Sequence, residues 1–396
     1  MEQLKTPYFV IDGPVLDHYM DMLKTSLESS WGNYQIAYSV KTNSLPWLVK
    51  YVKEKGAFAE VVSNDEYLLV KYLGFSDGEI VYNGPYKEKG SFRSVLLEGG
   101  FVNMDSVREI DWLEDIVSEN PGKDIEVGIR VNFNLERMCP GETEMGRTSG
   151  RFGFCLENGN FDKALTRLHA LKGVKVRGLH LHSSSKSRSV DIYKSIAAMA
   201  CDIKKKYDLD LSYVDIGGGY CGGLEGRPEY PDYFPEIAKV LGRAFDPEKT
   251  KLIVEPGISL ISKCTSFVSS VYDARDIREF RYVMTDGSRF NLDPTMIKSS
   301  YIYEVEKADS TDRRILDRQI VSGYTCMETD RMFTIEGGEE LLPGDKLIYH
   351  NVGGYTMSLN PLFIQYFPPV YVKDGDEMKL VRRKWEPKDY VAGTME

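Results

Sequence analysis

Between residues 35 and about 260, short apolar runs alternate with amphipathic stretches along the chain. Eight of these runs are candidate strands, at residues 35–40, 58–62, 80–82, 100–103, 125–132, 174–182, 213–216 and 252–255. Helix-like segments separate most of them, at residues 45–55, 64–73, 106–119, 162–171, 189–207 and 233–244. Eight strands, each followed by a crossover, match the count of a (β/α)8 TIM barrel, although a doubly wound open sheet would fit the same alternation. The count favours the barrel, so we predict an α/β fold built on it.

The pattern changes after about residue 262, where the apolar runs become short and β-rich and turn residues separate them. Such runs occur at 266–268, 282–284 and 346–349. They favour an antiparallel β domain, either a barrel or a sandwich. Residues 7–12 also have the pattern of a strand, which we expect to cross over and join that domain. The predicted division is therefore a barrel at 28–262 and a β domain made of 1–27 and 263–396.

Composition restricts the classes of partner that this chain can have. Its net charge is −10 over 396 residues, which argues against nucleic-acid binding. No apolar run approaches the roughly 20 residues that a bilayer span needs, so we expect no membrane partner. The first residues lack the basic region and apolar core of a secretory signal. The six cysteines show no Cys-x-x-Cys spacing, and we therefore predict reduced thiols and a cytoplasmic location.

Four features stand at the C-terminal ends of predicted barrel strands, where barrel enzymes place their catalytic groups. Lys41 ends the first strand, His182 the sixth and Glu255 the eighth, and Gly217–Gly219 follow the seventh. A desolvated lysine amine can form an imine, and consecutive glycines let backbone amides close on an anion. Taken singly, Lys41 suits a solvated strand end and the glycines suit a tight turn. Together they match the needs of pyridoxal 5'-phosphate (PLP), with an internal aldimine on the lysine and a carboxylate at the pyridine nitrogen.

Several motifs in the same order strengthen this interpretation. They are Tyr38–Asn43, Glu60–Glu66, Gly178–Ser185, Gly217–Gly219, Glu255–Gly257, Cys326 with Asp330, and Gly353–Tyr355. The ordered set resembles the fold-type III PLP-dependent decarboxylases of the diaminopimelate and ornithine decarboxylase family. The resemblance implies an alanine racemase-like barrel with a C-terminal β domain. It also implies an amino-acid α-decarboxylase that releases carbon dioxide, in lysine or polyamine biosynthesis.

The resemblance also assigns roles to individual residues. Lys41 would form the aldimine, and Cys326 would deliver a proton to the carbanion carbon, reaching the site from the partner chain of an obligate homodimer. The other cofactor-binding residues that it implies are His182 on the ring face, Glu255 at the pyridine nitrogen with Pro256 and Gly257 after it, and Ser185, Gly217, Gly218, Gly219 and Tyr355 at the phosphate. Arg151 matches a position that shapes the cofactor pocket, but a structural ion pair, with Glu60 as a candidate partner, explains it equally well.

The chain departs from the family at the substrate pocket. The arginine that usually follows the Glu-Pro-Gly run is Ile258, and the arginine that grips the distal carboxylate of diaminopimelate aligns with Asp293. The resemblance implies that Asp330 would help hold the substrate or the neighbouring subunit. Asp293, Glu328 and Asp330 are the substrate-binding candidates, because their negative charge suits a distal ammonium or guanidinium group. We therefore predict a basic amino acid or a diamino acid as the substrate.

Other interpretations stay open. meso-Diaminopimelate is the alternative substrate, with Arg289 or Arg331 clamping its distal carboxylate. An amino-acid racemase on the same barrel, a small PLP carrier protein and a non-catalytic PLP-binding paralogue are further alternatives. The racemase would set an arginine against the pyridine nitrogen, and the carrier would lack the β domain. His180 and His182 are the sole close histidine pair and have no third ligand in view, so we expect no metal.

Overall fold

The computed structural model describes residues 4–394 of the chain. Its strands are β1 (Tyr8–Asp12), β2 (Tyr34–Ser39), β3 (Phe58–Val61), β4 (Ile80–Tyr82), β5 (Phe101–Met104), β6 (Ile125–Asn132), β7 (Phe154–Cys155), β8 (Val174–His180), β9 (Tyr213–Asp215), β10 (Lys251–Val254), β11 (Thr265–Ile277), β12 (Phe280–Thr285), β13 (Ile302–Glu306), β14 (Ile315–Ser322), β15 (Arg331–Glu339), β16 (Lys346–His350), β17 (Val370–Asp374) and β18 (Glu377–Arg382).

The helices lie between these strands, except for the last one, which follows β18. They are α1 (Gly13–Ser30), α2 (Pro46–Glu54), α3 (Asn64–Tyr72), α4 (Lys89–Leu97), α5 (Val107–Glu119), α6 (Leu135–Met138), α7 (Asn160–Ala170), α8 (Val190–Lys206), α9 (Tyr230–Leu241), α10 (Ile258–Ile261), α11 (Arg289–Leu292) and α12 (Pro387–Tyr390). Within residues 4–394, none of them combines the length and the apolar character that a bilayer span requires.

The chain forms two compact units. One is Met20–Ser259, and the other combines the residues up to Tyr19 with those from Leu260 onward. Helix α1 runs without a break through residue 28, where the sequence suggested a boundary. The predicted domain limits of 28 and 262 stay predictions.

Eight parallel strands close into a barrel within Met20–Ser259. Their order is β2, β3, β4, β5, β6, β8, β9 and β10, and β10 pairs back onto β2 with Val254 opposite Ile36. The closure confirms the predicted barrel and excludes the open sheet. Because all eight strands run the same way, their C-terminal ends meet at one end of the barrel.

The sequence pattern explains why these segments form a barrel. The barrel strands are almost entirely buried, since they are covered on both faces, and they therefore appear as continuous apolar runs. The helices between them bury one face each. In α5, for example, Ile110, Leu113 and Ile116 are buried at a helical spacing. This packing leaves polar side chains mainly at the strand ends.

The second unit contains a nine-stranded mixed sheet with the core order β15-β14-β12-β11-β1-β17-β18. As predicted from the sequence, β1 joins it, pairing antiparallel with β11. The sheet is not wholly antiparallel, however, because β1 pairs parallel with β17 and β12 pairs parallel with β14. Parallel neighbours need a long connection, and both pairs have one. Residues 286–314 separate β12 from β14, and β1 and β17 lie at opposite ends of the chain.

Candidate active site

Lys41 lies in a 3-10 turn, Val40–Thr42, directly after β2. Its Nζ is 2.5 Å from Oε2 of Glu60 on β3, and the hydroxyl of Ser39 donates to the same oxygen at 2.8 Å. The Glu60 side chain is 1% exposed, whereas that of Lys41 is 38% exposed. Burial alone would raise the pKa of Glu60, but the ammonium of Lys41 outweighs burial and lowers it. The amine is therefore paired with an ionised carboxylate, while the lysine side chain as a whole is partly exposed.

Gly217, Gly218 and Gly219 follow β9 in a turn that other residues could not form. The φ angles of Gly217 and Gly219 are +70° and +88°, in the region that favours glycine. A Cβ on Gly217 would collide with the imidazole of His182, and one on Gly218 would collide with the carbonyl oxygen of Glu255. The glycines thus allow the imidazole and the end of β10 to approach the turn closely.

Two of the three glycine amides already have acceptors. Gly217 N donates to Oδ1 of Asp215 at 2.9 Å, and Gly218 N donates to Nδ1 of His182 at 3.3 Å. The third of these amides, that of Gly219, has no acceptor among residues 4–394. The predicted anion-binding turn at Gly217–Gly219 therefore has one amide available for an anion, while the other two glycines set the shape of the turn.

The imidazole of His182 is held neutral. Burial, reinforced by the positive charges of Arg130 and Lys41, lowers its pKa to about 3. Because Nδ1 accepts the Gly218 amide, the single ring proton belongs on Nε2. The ring lies nearly parallel to that of His180, with a centroid separation of 6.5 Å. His182 thus presents a flat, uncharged face.

Two buried carboxyl groups occupy neighbouring strand ends. Glu255 follows β10 and is 5% exposed, while Asp215 ends β9 and is fully buried. The two groups hydrogen-bond to each other. Burial is the main cause that raises the pKa of Asp215 to about 7, and it raises the pKa of Glu255 well above its usual range. Glu255 was predicted from the sequence but Asp215 was not, although Asp215 directly precedes Ile216 and the glycine turn.

A third group, His180, faces this pair. Ligand atoms of His180, Asp215 and Glu255 all lie within 4.8 Å of one another, an arrangement that the sequence did not reveal. Burial lowers the pKa of His180 well below its ordinary value, so its 3.4 Å approach to Glu255 is not an ion pair. A metal would require both carboxyl groups to be deprotonated, whereas burial raises the pKa of each. The predicted absence of a metal stays a prediction.

The Pro256-Gly257 segment fixes the position of Glu255. The carbonyl oxygen of Pro256 accepts the Ser39 amide at 3.0 Å, and a Cβ on Gly257 would collide with Thr42. These contacts pack the end of β10 against the turn that carries Lys41.

The remaining predicted residues of the barrel unit lie further along its loops. Ser185 is in the turn after β8, where its hydroxyl accepts the Arg188 amide at 2.7 Å. Arg151 is exposed, with its guanidinium 4.4 Å from the ring centroid of Phe152. No ion pair joins Arg151 to Glu60 in the described part of the chain, because Glu60 pairs with Lys41.

The predicted acidic residues of the second unit are bound within their own unit. Asp293 is 2% exposed and forms an ion pair with Arg289 at 3.2 Å, and Glu328 pairs with Arg331 at 3.0 Å on the surface. Asp330 is buried and accepts hydrogen bonds from the hydroxyl of Ser288, from the Arg289 amide and from Thr325. These contacts satisfy Asp293 and Asp330 without a ligand.

The two other predicted residues of this unit are more accessible. Cys326 is exposed in the loop between β14 and β15, and Tyr355 is 40% exposed with a φ of +58°. The buried Gly353 precedes Tyr355 at a tight point, since a Cβ there would collide with the carbonyl oxygen of Ile261.

Comparison with known proteins agrees with this geometry. The model of the family described as "Pyridoxal-dependent decarboxylase, pyridoxal binding domain" matches residues 19–262. A diaminopimelate decarboxylase of Aquifex aeolicus is 27% identical over 90% of this chain and 84% of its own length. Among solved structures, diaminopimelate decarboxylase from Helicobacter pylori complexed with L-lysine has a TM-score of 0.82 and 20% identity, covering 99% of this chain and 97% of that one. Lysine decarboxylase from Selenomonas ruminantium has a TM-score of 0.71 and 19% identity, covering 95% and 94%.

The chain therefore belongs to the pyridoxal-dependent decarboxylases. It is a PLP-dependent amino-acid carboxy-lyase, and PLP is its cofactor. The barrel end fits this group, since it combines an amine, a glycine turn with one unpaired amide, and a buried carboxyl group, Glu255, that has no cationic side chain bound to it among residues 4–394.

Proposed function

We propose that this enzyme removes the α-carboxyl group of an amino acid, with Lys41 as the residue that attacks the aldehyde carbon of the cofactor. The observation that carries the proposal is the contact of 2.5 Å between Lys41 and the buried carboxylate of Glu60. A lysine attacks only as the free amine. Glu60 fixes the direction of the amine and is within hydrogen-bond reach to take the ammonium proton when Lys41 attacks.

PLP, when bound, supplies an electron sink for the electron pair that remains after the carboxyl group departs. The role of Glu255 in this proposal is to hold a proton at the pyridine nitrogen, where the positive charge strengthens that sink. His182 would pack its neutral face against the ring. Because its pKa is about 3, it adds no charge at physiological pH.

The phosphate group is assigned to the glycine turn, to Ser185 and to Tyr355. The unpaired amide of Gly219 supports a direct hydrogen bond, and Gly217 and Gly218 contribute by leaving room. The assignment of Tyr355 and Ser185 depends on the motif resemblance.

The test of the proposal is the link between cofactor and lysine. Purified protein should carry a visible absorption band that borohydride abolishes, with the reduced cofactor attached to Lys41 in peptide mapping. Lys41→Ala should lose this attachment and lower turnover by several orders of magnitude. Lys249→Ala, a change at a side chain that is 82% exposed, is the matched control and should retain both. Attachment of the cofactor to another lysine would contradict the assignment.

We further infer that the enzyme works as a homodimer in which Cys326 protonates the carbanion carbon in the partner's site. The exposure of Cys326 supports this, since a thiol that serves another chain must be accessible in its own. The inference otherwise depends on the motif resemblance.

For the substrate, we propose a basic amino acid or a diamino acid. Two observations support a distal amino group over a distal carboxylate. Residue 258, where the family usually has an arginine, is an isoleucine. Arg289, a remaining candidate for a carboxylate clamp, is already paired with the buried Asp293. An arginine that must leave a buried partner to bind a carboxylate binds it less strongly.

meso-Diaminopimelate is the second candidate, and the Aquifex aeolicus relative named diaminopimelate decarboxylase favours it. It shares the distal amino group and adds a carboxylate. Competition assays with ornithine, lysine, arginine and meso-diaminopimelate distinguish the two. We expect kcat/KM for the best basic amino acid to exceed that for meso-diaminopimelate by about a hundredfold. This ratio corresponds to about 3 kcal/mol of transition-state binding, which is the cost of leaving the distal carboxylate of meso-diaminopimelate unpaired. A tenfold preference for meso-diaminopimelate would refute the distal-amine proposal.

We also infer a cytoplasmic location. All six cysteines are free thiols, and scattered free thiols are typical of reducing compartments. Cell fractionation with an antibody against the protein would test this.

A further inference from the structure

Oxygen atoms of Asp215 and Glu255 lie within 4.8 Å of each other. Their carboxyl groups are both buried and hydrogen-bond to each other. An ionised carboxylate can only accept hydrogen bonds, so two carboxyl groups can bond to each other only when one of them is protonated. Asp215 accepts amide hydrogen bonds from Gly217 and Asn103, whereas Glu255 accepts one from Asn83. Hydrogen bonds to a carboxylate favour its ionised form, so we place the proton of the pair on Glu255.

Two asparagines close this pair into a ring of side chains. Asn83, just after β4, donates to Oε1 of Glu255 at 2.5 Å. Asn103 on β5 donates to Oδ1 of Asn83 at 2.8 Å and to Oδ2 of Asp215 at 3.4 Å. Tyr213 donates its hydroxyl to Oδ1 of Asn103 at 2.9 Å, which fixes the orientation of that amide. The ring therefore joins Glu255, Asn83, Asn103 and Asp215, all of them buried.

We propose that Asp215 is a positioning residue that acts through Glu255, keeping one proton on the pair for transfer to the pyridine nitrogen of the cofactor. In that transfer the O–H bond of Glu255 breaks and the N–H bond of the pyridinium forms. Glu255 becomes a carboxylate beside the pyridinium, and Asp215 remains a carboxylate held by the Gly217 and Asn103 donors. The inference rests on the proposed role of Glu255, and it adds a second negative charge that keeps the ring nitrogen protonated.

Other charged or titratable groups face the pair from the neighbouring strand ends. They are Lys41 after β2, Glu60 on β3, Arg130 on β6, His180 on β8, and Tyr213 and Tyr220 on and after β9. The charges of Lys41 and Glu60 oppose each other in an ion pair, and Arg130 pairs with Asp105. His180 is neutral, because burial lowers its pKa well below the ordinary value. Replacing Asp215 by asparagine therefore removes one negative charge and leaves these groups in place.

The test uses holoenzyme loaded with cofactor that is isotopically labelled at the pyridine nitrogen, followed by nitrogen NMR against pH. In Asp215→Asn, the ring nitrogen should lose its proton about one pH unit lower than in the wild type, a tenfold weaker proton binding. The asparagine oxygen can still accept the Gly217 amide, so a purely structural role predicts no shift. Asp286→Asn is the control. Asp286 is a carboxyl group of the other unit, and burial likewise raises its pKa.

The outcomes separate this inference from the proposed function. The role of Asp215 alone would be overturned by two results together. The nitrogen shifts of wild type and Asp215→Asn would coincide at every pH, and Glu255→Gln would abolish ring protonation. An unchanged titration in Glu255→Gln would overturn the role of Glu255 as well.

A second measurement covers the case in which Asp215→Asn does not bind cofactor. Infrared spectra of the full chain without cofactor should show a protonated carboxyl band that disappears at a lower pH in Asp215→Asn than in the wild type or in Asp286→Asn. An unshifted transition would overturn the proposal.

Discussion

Replacing Gly217 by alanine tests whether the glycine turn positions His182. Its φ of +70° costs an L residue roughly 1–2 kcal/mol, and the new Cβ would collide with the imidazole of His182. Moving the ring also breaks its hydrogen bond from Gly218, worth about 1 kcal/mol. Gly226 provides a matched control, since its φ is +68° and a Cβ there would meet no atom within 4 Å. Gly226→Ala thus measures the backbone cost alone.

We expect Gly226→Ala to lower the free energy of unfolding by about 1–2 kcal/mol and to leave cofactor affinity unchanged. Gly217→Ala should lose about 1 kcal/mol more and bind PLP at least tenfold more weakly, because the displaced imidazole enters the space assigned to the cofactor. Denaturant unfolding of the cofactor-free chain and equilibrium dialysis with PLP measure the two effects. Equal PLP affinity in the two variants would refute the argument that this turn and His182 shape the cofactor site.

Two further predictions concern assembly and pH. Mixing inactive Lys41→Ala and Cys326→Ala chains should restore up to about a quarter of full activity, since a hybrid dimer contains one intact site; no recovery despite proven subunit exchange would place both residues in the same chain's site. Burial is the main cause that raises the pKa of Glu66 from 4.5 to about 7. The protonated Glu66 carboxyl group therefore stabilises the fold fully below pH 4.5, and this stabilisation is lost as the pH rises through 7. Glu66→Gln should therefore match the wild type in unfolding experiments at pH 4 and be more stable, by no more than about 3 kcal/mol, above pH 7; a constant difference across this range would contradict the assignment.

The barrel could be predicted because its strands repeat a simple pattern. Buried parallel strands appear as apolar runs, and the helices between them show one apolar face. Helix α4 was missed, although Phe92, Val95 and Leu96 form its buried face. Its Gly90 is a poor helix former, so local propensity hid a segment that tertiary packing stabilises.

Some residues of the candidate site could likewise be predicted from the sequence, and others could not. Residues in recognisable motifs, such as Lys41 and Glu255, could be identified, because their chemistry is unusual at a strand end. Asn103 and Asp215 could not, since they lie within short buried strands and their function depends on partners distant in sequence. A signal was nevertheless present, because an asparagine inside the apolar run Phe101–Met104 has no reason to be buried without a polar partner.

The barrel end holds two carboxyl-containing pairs whose charge states differ, and this difference suits the chemistry of a decarboxylase. Lys41 and Glu60 form an ionised pair in which the carboxylate is within reach to take the proton of the amine. Asp215 and Glu255 form a buried pair with a retained proton and no bound cationic side chain among residues 4–394. A buried negative pair of this kind is stabilised by a cation that arrives with the ligand, and a protonated pyridine nitrogen is such a cation. The arrangement thus favours the form of the ring that withdraws electrons most strongly.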